Sequence, residues 1–246
     1  MLDYINDPVQ RYGLIGLWVL WALFLFGGFL FGSGQRSHRM PTWTRMASSI
    51  TLVVAGWSWV WVYGNGENGR YFAILIALGM TLGLAGDLIL AGLFPSGRNV
   101  IGGIVAFGIG HIFYIIGIVQ LTNKLGRSNH QFNWGASLIW WIIALVGWYF
   151  VVFRGQQPST LHWAALPYAL LLASTAGVAT GLSGISPSFI PLAIGAGLFL
   201  FSDLILAAEL FNGLDFRSIG DVIWLTYGPG QMLIVYAAGT AYQLLA

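Results

Sequence analysis

Two carboxyl groups stand where a carboxyl is costly. Asp87 and Asp203 each lie inside a long apolar run, residues 79–94, GMTLGLAGDLILAGLF, and residues 195–211, GAGLFLFSDLILAAELF. A charge deep in a bilayer costs on the order of 3 kcal/mol or more, so an intramembrane Asp reads first as a functional residue. The competing reading is structural, an Asp that hydrogen-bonds neighbouring helices. Two carboxyls that share a buried site commonly hold one proton between them. That is a general acid beside a general base, suited to acid-labile bonds such as glycosides and enol ethers.

Other polar residues fall near this pair. His111 and Tyr114 are one turn apart on one helix face, and Tyr227 and Gln231 are spaced i, i+4 on another. Ser202 adjoins Asp203. Gly228-Pro229-Gly230 is expected to interrupt its helix, because Pro229 cannot donate to the carbonyl of Leu225. Gly79, Gly83, Asp87 and Ala91 recur every four residues, a small-residue stripe for close packing with the Asp in its seam. Thiolate metal sites and disulfides are excluded because there is no Cys. No HExxH, GxSxG or Walker pattern occurs, so neither a metal nor another cofactor is expected.

The elements that hold these residues follow from composition. The chain has 246 residues, of which 57% are hydrophobic and 7% charged. A soluble domain is roughly a quarter charged, so the bilayer must be the solvent. The net charge of +2 is too small to argue for a nucleic-acid partner. A span takes roughly 20 apolar residues. Eight are expected, about 12–31, 47–63, 71–93, 100–121, 133–152, 161–182, 189–210 and 222–244. The second reads as short, with Trp57, Trp59 and Trp61 suited to an interface. Gly64-Asn65-Gly66 and Pro95-Ser96-Gly97 are among the breakers between spans. The fold class is therefore all-α, a single polytopic transmembrane domain over residues 1–246.

The two Asp segments are alike. Each places Gly eight residues before Asp and continues Asp-Leu-Ile-Leu-Ala. The pattern predicts two parallel four-helix repeats, residues 12–121 and 133–244, with both carboxyls at one level near one membrane face. Basic residues on the side of the first loop number six: Arg36, Arg39, Arg45, Arg98, Arg154 and Arg217. Arg11, Arg70, Lys124 and Arg127 lie opposite, so the first loop is expected to face the cytoplasm.

At these residues the sequence resembles a known family. Gly86-Asp87, Leu90, Phe107 and His111-x-x-Tyr114 are similar to a first signature of the YhhN family of lysoplasmalogenase-like membrane proteins. Gly195-Ala196, Phe199, Ser202-Asp203 and Tyr227-x-x-x-Gln231-x-Leu233-Ile234 resemble a second. Arg45 stands near the place where many members carry Lys-Pro at the start of helix 2. The resemblance implies a multi-pass protein of the cell membrane. It implies hydrolysis of the vinyl ether bond of a lysophospholipid, lysoplasmalogen, to a fatty aldehyde and a glycerophospho-base. Asp87 and Asp203 would then be catalytic, and His111, Tyr114, Tyr227, Gln231 and Ser202 would contact substrate or water. Two other readings compete: a small-solute or proton-coupled transporter, and a non-catalytic lipid-binding relative. A carrier needs a site reachable from both faces, whereas a lipid hydrolase needs a cavity open to one.

Overall fold

The computed structural model describes residues 2–32, 37–64, 67–95, 97–125 and 130–245. Arg36, Asn65, Gly66, Ser96 and Arg127 lie outside the described residues. Eight helices follow in order: α1 Pro8–Phe31, α2 Thr42–Tyr63, α3 Glu67–Leu90, α4 Val100–Lys124, α5 Trp134–Phe153, α6 Thr160–Ile185, α7 Ile190–Asn212 and α8 Ile219–Leu245. Among the described residues there is no strand. Backbone groups in hydrocarbon must be satisfied within their own segment, and these helices do that.

Local sequence sets the ends. Asp7 accepts from the Val9 amide at 2.8 Å, with Pro8 in the first helical position of α1. Asn99 caps α4 by accepting from the Gly102 amide at 2.9 Å. Ser159 and His162 form a reciprocal capping box at the start of α6. Past Leu90, Gly92 closes α3 at φ +70°. Its amide bonds the Ile89 carbonyl and the Leu93 amide bonds that of Leu88, a Schellman closure.

Seven of the eight helices are long and apolar enough to cross a membrane, so this is an integral membrane protein. The remaining one, α8, is the longest at 27 residues but less apolar. Its position explains this. Six helices close a ring in the order α2, α3, α4, α6, α7 and α8, and α3 and α8 also touch across it. The other two pack outside, α1 mainly on α2 and α5 on α6 and α7. Accordingly α1 and α5 each bury 22% of their span residues, against 39% or more in the other apolar spans. Placed in the ring, α8 carries Asp221, Tyr227 and Gln231 buried in the protein rather than facing lipid.

Several boundaries differ from the sequence expectation. α2 begins at Thr42 rather than 47, because Thr42 to Arg45 are helical despite their polarity. It is therefore a full span of 22 residues. Trp57 and Trp61 are exposed on it, but Trp59 is fully buried. α8 begins at Ile219 rather than 222, which brings Asp221 into its first turn. Pro229 does not interrupt α8, which runs through Gly228-Pro229-Gly230 as one helix. One missing backbone bond is tolerated where neighbouring helices enclose the turn. Two turns widen to π geometry, Leu23–Gly27 in α1 and Trp148–Phe153 at the end of α5.

The two tightest helix pairs cross backbone against backbone. A Cβ on Gly110 of α4 would lie 2.9 Å from the Gly79 carbonyl oxygen of α3. A Cβ on Gly230 of α8 would lie 2.8 Å from the Gly195 carbonyl oxygen of α7. Such crossings hold membrane helices by close van der Waals contact. We expect Gly110→Val and Gly230→Val each to lower the melting temperature in detergent, by a cost of about 1–3 kcal/mol. Gly13→Ala, with nothing within 4 Å of the added methyl, leaves it unchanged. Equal melting of all three variants would show that the helices do not meet at these glycines.

Candidate active site

A cavity of about 350 Å³ opens at the membrane face where α1, α3, α5 and α7 end. Its wall includes Arg45, Asp87, Arg98, Asp203, Glu209 and Tyr227. Both intramembrane aspartates thus line one space. They reach it from unequal distances to the helix ends. Asp87 lies in the last turn of α3, whereas α7 continues for more than two turns past Asp203.

Each carboxyl is met by hydroxyl donors from other helices. Asp87 is 5% exposed, and the Ser49 hydroxyl of α2 donates to its Oδ2 at 2.6 Å. The Tyr227 hydroxyl of α8 also interacts with Asp87, while accepting from Nε2 of Gln231 one turn along. Asp203 accepts from the Tyr168 hydroxyl of α6. The Ser202 hydroxyl donates mainly back to the Phe199 carbonyl at 2.7 Å, with Asp203 Oδ1 at 3.3 Å. Buried carboxyls left without donors would be strongly destabilising, so four helices contribute to their support.

A third acid shapes the rim. Asp221 is 1% exposed, and its two oxygens accept from the Arg39 amide at 2.7 Å and the Met40 amide at 3.0 Å. The Gly220 amide also donates to the Ser37 carbonyl at 2.9 Å. Together these bonds fasten the segment before α2, including His38, to the start of α8. Arg45 donates to Thr42 Oγ1 at 3.0 Å and lies 5.6 Å over the Trp224 ring.

A second, narrow space of about 80 Å³ adjoins the first. It is apolar and formed by α4, α5, α6 and α7. Trp148 and Val152 enter it from the π turn of α5, and Tyr168 from α6. Leu90, Phe107, Asp203 and Leu206 belong to both walls. Asp203 therefore stands where a polar vestibule meets an apolar groove, with Asp87 on the vestibule side.

The model of the YhhN family matches residues 40–238, about four fifths of the chain. The chain belongs to the YhhN family. No curated protein and no solved structure matches it. The matched region contains both aspartates and every donor to them named above.

Within this YhhN protein, the residues expected from sequence divide into two groups. Asp87, Asp203 and Tyr227 line the vestibule. His111, Tyr114, Gln231 and Ser202 lie behind its wall, each at most 2% exposed. His111 Nδ1 is 2.8 Å from Thr175 Oγ1 of α6, and the ring stands edge-on to Phe199 at 4.5 Å. Tyr114 packs against Gly79 at the α3–α4 crossing. The physical reason is that polar side chains at these positions serve helix–helix contacts, and spacing alone does not separate that from facing a cavity. His111 Nε2, the Tyr114 hydroxyl and Gln231 Oε1 have no protein partner among the described residues. Ser49, Tyr168 and Asp221 were not anticipated as site residues. Ser48-Ser49 inside a span and Tyr168 beside Pro167 were the available signals.

The absence of native Cys allows a direct test of access. Glu209→Cys and Trp224→Cys should react with a membrane-impermeant maleimide from the face carrying the α1–α2 connection, expected to be cytoplasmic, and not from the other. Thr175→Cys, fully buried in the wild type, should stay unlabelled. Labelling of the first two from both faces would mean that the vestibule is not one-sided.

Proposed function

We propose that this protein hydrolyses the vinyl ether bond of a lysoplasmalogen in the cell membrane, releasing a fatty aldehyde and a glycerophospho-base. The observation that carries the reading is Asp203, shared by a polar vestibule and an apolar groove, with Asp87 in the same vestibule. A vinyl ether is the junction between a hydrocarbon chain and a polar head. Membership of the YhhN family supports the same chemistry.

The chemistry needs an acid, a water and a base. Asp203 borders the groove, so its carboxyl meets the alkenyl carbons and acts as general acid. It protonates the carbon β to the ether oxygen, leaving an oxocarbenium ion. Water adds to the carbon that bears oxygen, and Asp87 takes the proton released. The hemiacetal collapses to aldehyde and alcohol, the glycerol oxygen regaining a proton. One water is consumed and no redox partner is required. Ser49, Tyr168 and Tyr227 orient the two carboxyls. The vestibule is built from helix ends at one face, which favours this reading over a carrier with access from both sides. The two Asp segments on α3 and α7, each at the start of a glycine-crossed helix pair, also support a duplicated four-helix origin for the site.

Purified wild type should release aldehyde from lysoplasmalogen and none from the saturated ether analogue. Asp87→Asn and Asp203→Asn should each lower turnover by about 10²–10⁴-fold with unchanged melting behaviour. Near-normal turnover by either variant would sink the paired-carboxyl mechanism.

A further inference from the structure

We propose that the outer vestibule is a zwitterionic headgroup site, in which Arg98 and Arg45 bind the phosphate of the lipid and Glu209 binds its terminal ammonium. The inference rests on the hydrolase reading for the identity of the chain and adds the residues that select the head.

The wall places charges of both signs around one cavity. Arg45 enters from α2, Arg98 from the segment between α3 and α4, and Glu209 from α7. Neither Arg98 nor Glu209 has a hydrogen-bond or ion-pair partner among the described residues. Arg45 spends one Nη on Thr42 and stacks over Trp224, and its Nε is buried without a partner. A guanidinium held this way inside the protein wall keeps donors free for a bidentate anion, which an interfacial arginine reaching for lipid heads does not require. His38 also lines the vestibule. Burial and then the Arg45 cation lower its pKa from the ordinary value, which disfavours a third positive charge there.

Order along the wall matches order along the ligand. Outward on α7, the lining residues are Asp203, Leu206 and Glu209. They recur every three residues and rise roughly 9 Å in all. A lysophospholipid presents its ether bond, glycerol, phosphate and ammonium in that sequence. Its chain in the groove and its ether at Asp203 would bring the head alongside Arg45, Arg98 and Glu209. A fully anionic head would leave Glu209 facing like charge, and an uncharged head would leave both arginines unused.

The test separates head from bond. Binding of a saturated ether lysophosphoethanolamine, which cannot be cleaved, is read by tryptophan fluorescence. Cleavage is read as aldehyde release from the alkenyl lysophosphoethanolamine, the alkenyl glycerophosphate and the alkenylglycerol. Arg98→Gln and Arg45→Gln should each weaken binding of the saturated analogue about tenfold, and raise KM by a similar factor for the two phosphate-bearing substrates with little change in kcat. Glu209→Gln should raise KM for the phosphoethanolamine substrate alone. Arg11→Gln, at the opposite face, serves as control. Arg98 is exposed, so its variant is expected to fold even if Arg45→Gln does not. Wild-type-like binding by Arg98→Gln and Glu209→Gln, or no binding by the wild type, would overturn the headgroup site. Head-dependent binding without aldehyde release would instead overturn the hydrolase reading and leave the headgroup site standing. Aldehyde release with a KM indifferent to the head would do the reverse.

Discussion

The cost of keeping two carboxyls inside a bilayer organises this molecule. Hydrocarbon supplies no donors, and a carboxyl without them is strongly destabilising. The donors therefore come from protein, from Ser49 on α2, Tyr168 on α6 and Ser202 on α7 itself, with the Tyr227 hydroxyl of α8 beside Asp87. Each must be brought within hydrogen-bonding distance, which requires helices to approach closely. The glycine crossings of α3 with α4 and of α7 with α8 are where that approach is made. The ring of six helices is the arrangement in which these donors converge, and α1 and α5 shield it from lipid.

The same constraint explains why α8 alone of the eight helices falls short of the apolarity of a membrane span. A helix facing lipid must be apolar around most of its surface, whereas one inside a ring need be so only where it packs. α8 uses that freedom. Tyr227 reaches Asp87, Gln231 orients Tyr227, and Asp221 holds the backbone of Arg39 and Met40. One helix thereby fixes both the floor of the vestibule and its rim.

The fold class was legible because the solvent is written into composition. Eighteen charged residues in 246 leave few alternatives to a membrane bundle. The aspartates were legible for the same reason, since any carboxyl in an apolar run stands out. Their supports were not. Ser49, Tyr168 and Thr175 are ordinary in a span, and only the azimuth of each helix decides whether they face a cavity, a neighbour or lipid. Hydropathy reports depth but not azimuth. That is why His111 and Tyr114, correctly placed on one face, proved to be the face turned toward α6 and α3. Helix starts failed for a related reason. Thr42, Arg45 and Asp221 look like loop residues because they are polar, yet Thr42 and Arg45 line the vestibule and Asp221 holds the backbone at its rim.

In the proposed reading, the boundary position of Asp203 is what makes water and hydrocarbon chemistry compatible. Protonating an alkenyl carbon needs the chain beside the acid, and a chain prefers an apolar wall. Hydrating the resulting cation needs water beside the base, and water prefers a polar one. A site wholly in the groove would exclude the nucleophile, and one wholly in the vestibule would not retain the chain. Two walls sharing Leu90, Phe107, Asp203 and Leu206 meet both demands within one side chain's reach. The repeated Asp-Leu-Ile-Leu-Ala segments supply two carboxyls from helices of the same direction, and the proposed division of labour follows the asymmetry around them. Asp203 has the groove formed with α5 and α6, while Asp87 has Ser49 and Tyr227 on the vestibule side. Similar sequence at two places in the bundle thus presents two carboxyls to different surroundings, and the proposed acid and base are assigned by the surfaces each borders.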